Sequence, residues 1–140
     1  MYSIAVATTA DEIESCYPVM SQLRPHIPFE NFARLIQSQM DNGYQLAYIS
    51  DGQDALAVAG FRVLTNLAWG KFLYVDDLVT SEKSRSKGIG KLLLQWLRKE
   101  AKHRGCQELH LDSGIQRKDA HRFYEREGME MTSYHFMNKL

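Results

Sequence analysis

Arg85-Ser86-Lys87-Gly88-Ile89-Gly90-Lys91 decides the reading of this chain, because here a basic glycine turn joins an apolar strand to a long amphipathic helix. Glycines let the backbone approach an anion, the first helical N–H groups lack intrahelical partners, and the helix dipole favours negative charge. A phosphate pocket is the expectation.

The segments on either side fit that role. Phe72 to Val79 is a strand-like run before the turn. After it, Ile89, Leu92, Leu93, Trp96, Leu97 and Ala101 form one helical stripe, with Lys91, Gln95, Arg98, Lys99 and Lys102 on the other side and Gly105 as the stop. Glu108 to Asp112 is a short returning strand, so Phe72 to Asp112 is a strand–helix–strand unit.

Further out, Ile4 to Ala7 is a first strand. Thr9 and Glu12 have capping-box spacing, ahead of a helix carrying Ile13, Cys16, Tyr17 and Met20 that Pro18 should kink or interrupt. Pro25 and Pro28 punctuate a loop from Leu23 to Phe29, and a second helix covers Phe29 to Met40, with Phe32, Leu35, Ile36 and Met40 inward. Tyr44 to Ile49 and Ala55 to Val63 read as strands around the turn at Asp51-Gly52, the second apolar enough to be central. Ala120, Phe123, Tyr124 and Glu127 mark a short helix closed by Gly128, and Tyr134 to Leu140 a last strand.

Two glycine motifs can be tested by their letters. A P-loop requires a Gly where Arg85 stands and a hydroxyl where Leu92 stands. A dinucleotide fingerprint requires a third Gly where Leu93 stands. Both readings fail. The run Lys83, Arg85, Lys87 and Lys91 could be a nucleic-acid patch, but its glycines and its place at a helix start favour one compact anion.

Composition bounds the rest. The chain has 140 residues, with 17 basic and 17 acidic side chains. One domain over residues 1–140 is expected, and the charge balance argues against coating nucleic acid or an anionic membrane. Cys16 and Cys106 lie far apart with no metal-ligand spacing and read as free thiols in a reducing compartment. No metal site is expected, and the five scattered histidines read as surface or packing residues, with His26 on the proline loop the one to watch. No apolar run approaches the roughly 20 residues that cross a bilayer, and Met1 to Val6 lacks a signal-peptide pattern, so a cytoplasmic protein is expected.

The pattern that remains is Arg-x-x-Gly-x-Gly. With Tyr74-Val75-Asp76-Asp77-Leu78-Val79-Thr80 before it and Ala120-His121-Arg122-Phe123-Tyr124-Glu125-Arg126-Glu127-Gly128-Met129 after it, the chain resembles the GCN5-related N-acetyltransferases over Ile4 to Leu140. The resemblance implies an α/β (α+β) fold: a mixed, mostly antiparallel sheet of six to seven strands flanked by about four helices. It implies acetyl-CoA as cosubstrate. Arg85, Ser86, Lys87, Gly88, Ile89, Gly90 and Lys91 would hold the CoA pyrophosphate. Leu78, Val79 and Thr80 would pair with the pantetheine arm as an added strand does.

By the same resemblance, Tyr124 would be the general acid and a backbone N–H of Val79 or Leu78 would stabilise the oxyanion. Spacing alone also allows Tyr124 to be a core tyrosine. Asp76 and Asp77 are the base candidates, one expected on each face of the strand, and the alternative for them is a structural pair with Arg62 or Lys71. Relatives carry Asn where Arg117 stands, so Arg117 with Ser113 would serve the cofactor differently, or Arg117 would bind an anionic substrate. Neither cysteine has a nearby His in an interpretable motif, so direct transfer to a primary amine of a small molecule is expected. The alternatives are acetylation of a protein lysine or N-terminal amine, or a non-catalytic acyl-CoA-binding regulatory module. The family resemblance also raises a homodimer, built on an edge near Tyr134 to Leu140. The sequence does not name the acceptor, whose specificity should reside between Tyr17 and Asn42.

Overall fold

In the computed structural model, which describes residues 1–140, Thr9 caps the first helix as the spacing predicts. Its hydroxyl accepts from the Glu12 N–H (3.2 Å), and the Glu12 carboxylate accepts from the Thr9 N–H (3.2 Å). That helix, α1, covers Ala10–Ser15. The backbone breaks at Cys16, and Pro18 falls in the first turn of α2, Tyr17–Leu23, where its missing N–H costs no hydrogen bond. The helix α3 then covers Phe29–Met40.

The strands are β1 Ser3–Val6, β2 Gln45–Ser50, β3 Ala55–Asn66, β4 Gly70–Thr80 and β5 Glu108–Leu111, and they lie in the sheet in that order. Pairings β1–β2, β2–β3 and β3–β4 are antiparallel. Between β4 and β5 come a short 3-10 turn at Glu82–Ser84 and the helix α4, Ile89–His103, the crossover type that parallel neighbours require. The last helix, α5, is Lys118–Arg126. Contacts divide the chain into two compact units, Met1–His110 and Leu111–Leu140.

Within the first unit, alternation along β3 assigns the faces. Val58 joins Leu46 and Val79 in a core with Ile13, Cys16, Met20, Phe32 and Ile36 from α1, α2 and α3. Phe61 meets Trp96 of α4, with ring centroids 5.9 Å apart. Each fully buried large side chain in these layers contributes about 1.5–3 kcal/mol.

Four expectations need correction. The sheet has five strands rather than six or seven, and there are five α-helices rather than about four. Tyr134 to Leu140 is not a strand: a strand exists only through its ladder partner, and this segment has none in the sheet and stays exposed. Leu35 and Leu92 face outward, while Leu94 is fully buried, because α3 and α4 are covered on a narrower sector than the full apolar stripe.

Candidate functional site

The basic glycine turn from Arg85 to Lys91 lies between β4 and α4 and runs into the first turn of α4. Ser86 and Gly88 both adopt left-handed backbone, with φ of 67° and 78°. Only Gly88 does so without steric cost, and a Cβ there would meet no neighbour, so conformation rather than space selects glycine. Gly88 is the N-cap of α4 and offers no capping side chain, which leaves the first N–H groups of the helix free for an external acceptor. Ser86, Lys87 and Gly88 are exposed. Such a turn at a helix start can hold a phosphate, with Arg85, Lys87 and Lys91 supplying charge.

The register of β4 decides which of its backbone groups are available. Ser81 N–H donates to the Leu56 carbonyl (2.8 Å), so alternate residues Val79 and Asp77 also face β3. Leu78 and Thr80 therefore turn their N–H and C=O groups the other way, toward the side where β5 follows in the sheet order. Arg85 Nε reaches the Thr80 carbonyl at 3.4 Å, linking the basic turn to this strand end. The two candidates for an oxyanion donor are thus separated: the Leu78 N–H is outward and the Val79 N–H is not.

Asp76 and Asp77 occupy one face, not opposite faces. The pairing of β3 with β4 slips between Gly60 and Phe61, where Gly60 stands opposite Asp77 and Phe61 opposite Val75. Asp76 is the extra residue of a β-bulge, and the bulge turns it to the side Asp77 already faces. Arg62 Nε contacts both Asp76 oxygens (3.2 and 3.0 Å), and its Nη2 donates to Gln39 Oε1 (2.5 Å). Asp77 accepts from Arg24 Nε at Oδ1 (2.9 Å) and from the Tyr44 phenol at Oδ2 (2.8 Å). The Arg62 partner weighed from the sequence is present, but it engages Asp76 only.

Burial raises the Asp76 carboxyl above its ordinary value, and Arg62 opposes that rise. Burial, reinforced by the Asp77 carboxylate, holds the Tyr44 phenol well above 10. The Tyr44 ring lies over Gly60, where a Cβ would come within 1.8 Å of the phenol oxygen. Arg24, Tyr44 and Gly60 were not singled out from the sequence. The one available signal was a glycine inside an otherwise apolar strand, which marks a bulge or a close approach.

In the second unit, Arg117 is the N-cap residue of α5 and Tyr124 lies half-buried on that helix, none of whose side chains is fully buried. Burial raises the Tyr124 phenol above its ordinary value and the Arg117 charge works against the rise, so the group is protonated at neutral pH. Ser113 Oγ is buried without a hydrogen-bond partner. Elsewhere, burial pushes the Cys16 thiol up to about 12, which leaves no thiolate for chemistry.

A family model described as the acetyltransferase (GNAT) family matches residues 7–129. The chain belongs to that family. This acetyltransferase is 34% identical over 131 residues to the uncharacterized N-acetyltransferase YhdJ of Bacillus subtilis (strain 168), covering 92% of each chain. It is 38% identical over 66 residues to the aminoalkylphosphonate N-acetyltransferase of Salmonella typhimurium, covering 47% of this chain and 43% of that one. Its fold matches a crystal structure of an aminoglycoside N-acetyltransferase in complex with CoA, with TM-score 0.85 and 14% identity over 100% of this chain and 95% of the other. No helix of the acetyltransferase is long and apolar enough to cross a membrane.

Proposed function

We propose that this acetyltransferase moves an acetyl group from acetyl-CoA to a primary amine of a small molecule by direct attack. The observation that carries the proposal is the continuity of outward backbone at Leu78 and Thr80 with the basic glycine turn from Ser86 to Lys91. The aminoglycoside enzyme seen with CoA and the aminoalkylphosphonate enzyme support the donor and the small acceptor at the level of the family.

Acetyl-CoA, when bound, supplies the activated acyl group. The N–H groups from Ser86 to Lys91 would hold its pyrophosphate, with Arg85, Lys87 and Lys91 as counter-charges. Leu78 and Thr80 would pair with its arm, and the Leu78 N–H would stabilise negative charge on the acyl oxygen. Val79 would support the strand from its β3 side. Tyr124 would return a proton to the leaving thiolate. Of the two aspartates, Asp76 is the better base, because burial raises its carboxyl and its two oxygens share a single donor, Arg62 Nε, whereas each oxygen of Asp77 holds a donor of its own. Arg117 would contact a cofactor phosphate or an acidic substituent of the acceptor.

The proposal includes one catalytic domain over residues 1–140, supported by a family match that runs from 7 to 129. It includes a cytoplasmic location, supported by the two free cysteines. It also includes a homodimer. Tyr134 (78% exposed) and Phe136 (91% exposed) lie open with Met131, Met137 and Leu140 on a segment outside the sheet. Aromatic side chains bury about 150–250 Å² each, so two such segments approach the roughly 1,200 Å² of a specific interface.

The test is a thermal shift with acetyl-CoA against ATP and NAD, followed by CoA release with polyamines, aminophosphonates, amino acids and lysine peptides. Stabilisation by acetyl-CoA alone and turnover with a small amine are expected. Stabilisation only by ATP would remove the donor assignment. Binding without turnover on any amine would indicate a regulatory module.

A further inference from the structure

We propose that Arg24 and Asp77 form a latch that fixes the connection between α2 and α3 against β4, making it a rigid wall on the acceptor side of the site rather than a mobile lid. The inference rests on the reading of Leu78 as the group that faces the reacting acyl oxygen.

Arg24 is the C-cap residue of α2, where the chain leaves the helix. Its guanidinium spans two consecutive residues of β4: Nε donates to Asp77 Oδ1 (2.9 Å) and Nη2 to the Asp76 carbonyl (3.2 Å). Those residues immediately precede Leu78 in the strand. A planar fork held at two points has its orientation fixed, which an ammonium group would not achieve.

The receiving end is fixed as well. The Asp77 side chain is 14% exposed against 41% for Arg24, and Tyr44 occupies its second oxygen. The slip in register at Gly60 and the lack of a side chain on that glycine, whose place the Tyr44 ring takes, are what allow Tyr44 to reach Asp77. Four segments of the first unit thus converge to hold one carboxylate in one orientation.

The connection itself is short and tied at both ends. Ile27 N–H donates to the Arg24 carbonyl (3.2 Å), and the Ile27 carbonyl accepts from the Tyr17 phenol (2.7 Å). Pro25 and Pro28 fix two further φ angles. A half-exposed ion pair adds little to global stability. Its consequence is therefore local: it sets where the connection stands beside Leu78.

Two measurements test the latch. In amide exchange, Arg24→Gln should accelerate Ile27 N–H exchange by about tenfold or more, leave amides of α4 such as Leu93 unchanged, and be partly rescued by Arg24→Lys. In kinetics with the amine of highest turnover in the panel, Arg24→Gln and Asp77→Asn should each raise the amine KM about tenfold with little change in the acetyl-CoA KM. The double variant should be no worse than either single one, as expected for partners in one contact. Unchanged Ile27 exchange in Arg24→Gln, or KM effects that multiply in the double variant, would overturn the latch. The exchange experiment reads the latch even if no amine is acetylated, so failure of the functional reading is distinguishable from failure of the latch.

Discussion

The Tyr44 phenol donates a 2.8 Å hydrogen bond to Asp77 Oδ2 by passing over β3, the strand that separates them. Gly60 is what permits the passage, since a Cβ there would lie 1.8 Å from the phenol oxygen and 2.3 and 2.5 Å from two ring carbons. Gly60→Ala should therefore destabilise the fold by about 1–3 kcal/mol, the usual cost of forcing atoms into a packed site. Tyr44→Phe should not rescue it, because the ring carbons collide as well. Chemical denaturation of the two single variants and the double variant checks both statements.

Gly90 lies in the first turn of α4 and is half-exposed. Gly90→Glu should fold at least as well as the parent, because a carboxylate in a first turn suits the helix dipole. The same charge would stand in the proposed pyrophosphate site. The expected result is an unchanged or higher melting temperature together with loss of the acetyl-CoA thermal shift. A retained shift would move the cofactor elsewhere.

Tyr124→Phe should lower kcat by about 10²-fold or more, within the range for losing a general acid, and leave acetyl-CoA affinity nearly unchanged. Burial raises the phenol above 10, so its ionisation should limit kcat only above that pH. A group whose pKa is higher folded than unfolded contributes stability that is complete below the unfolded value of 10 and is lost as pH rises through the folded value. Steady-state kinetics with a pH profile, and melts between pH 8 and 11, are the measurements.

Glu12 works at the opposite end of the scale. The Thr8 backbone N–H, then the Thr8 hydroxyl, lowers its carboxyl from 4.5 to about 2. A depressed acid contributes stability that is present above 4.5 and is lost as pH falls through about 2. Glu12→Gln should be less stable than the parent at pH 7, and the difference should close between pH 4.5 and 2. Thermal melts of both proteins across that window test it.

The exposed Tyr134 and Phe136 predict association. Replacing both with Ser should convert a dimer to a monomer by light scattering, with little loss of melting temperature per chain. A parent protein that is monomeric at ~100 μM would remove the dimer from the proposal, since a specific interface of that size binds more tightly than this.

Much of the architecture could be read from the chain because it depends on local rules. The capping box at Thr9 and Glu12, the break before Pro18, the bounds of α3 and the turn into α4 each follow from a few neighbouring residues. The last strand could not be read in this way. Tyr134 to Leu140 has strand-like composition, yet pairing needs a partner that composition does not supply.

The candidate site divides along the same line. The sequence alone determined the family and the basic glycine turn at the start of α4, because Arg85, Gly88, Gly90 and Lys91 set backbone conformation and charge at adjacent positions. Only the tertiary structure decided that Leu78 rather than Val79 turns its N–H outward, since that follows from a ladder with a distant strand. Only it decided that Asp76 and Asp77 share a face and answer to Arg62 and Arg24, because a one-residue bulge reverses the alternation that adjacent residues would otherwise obey.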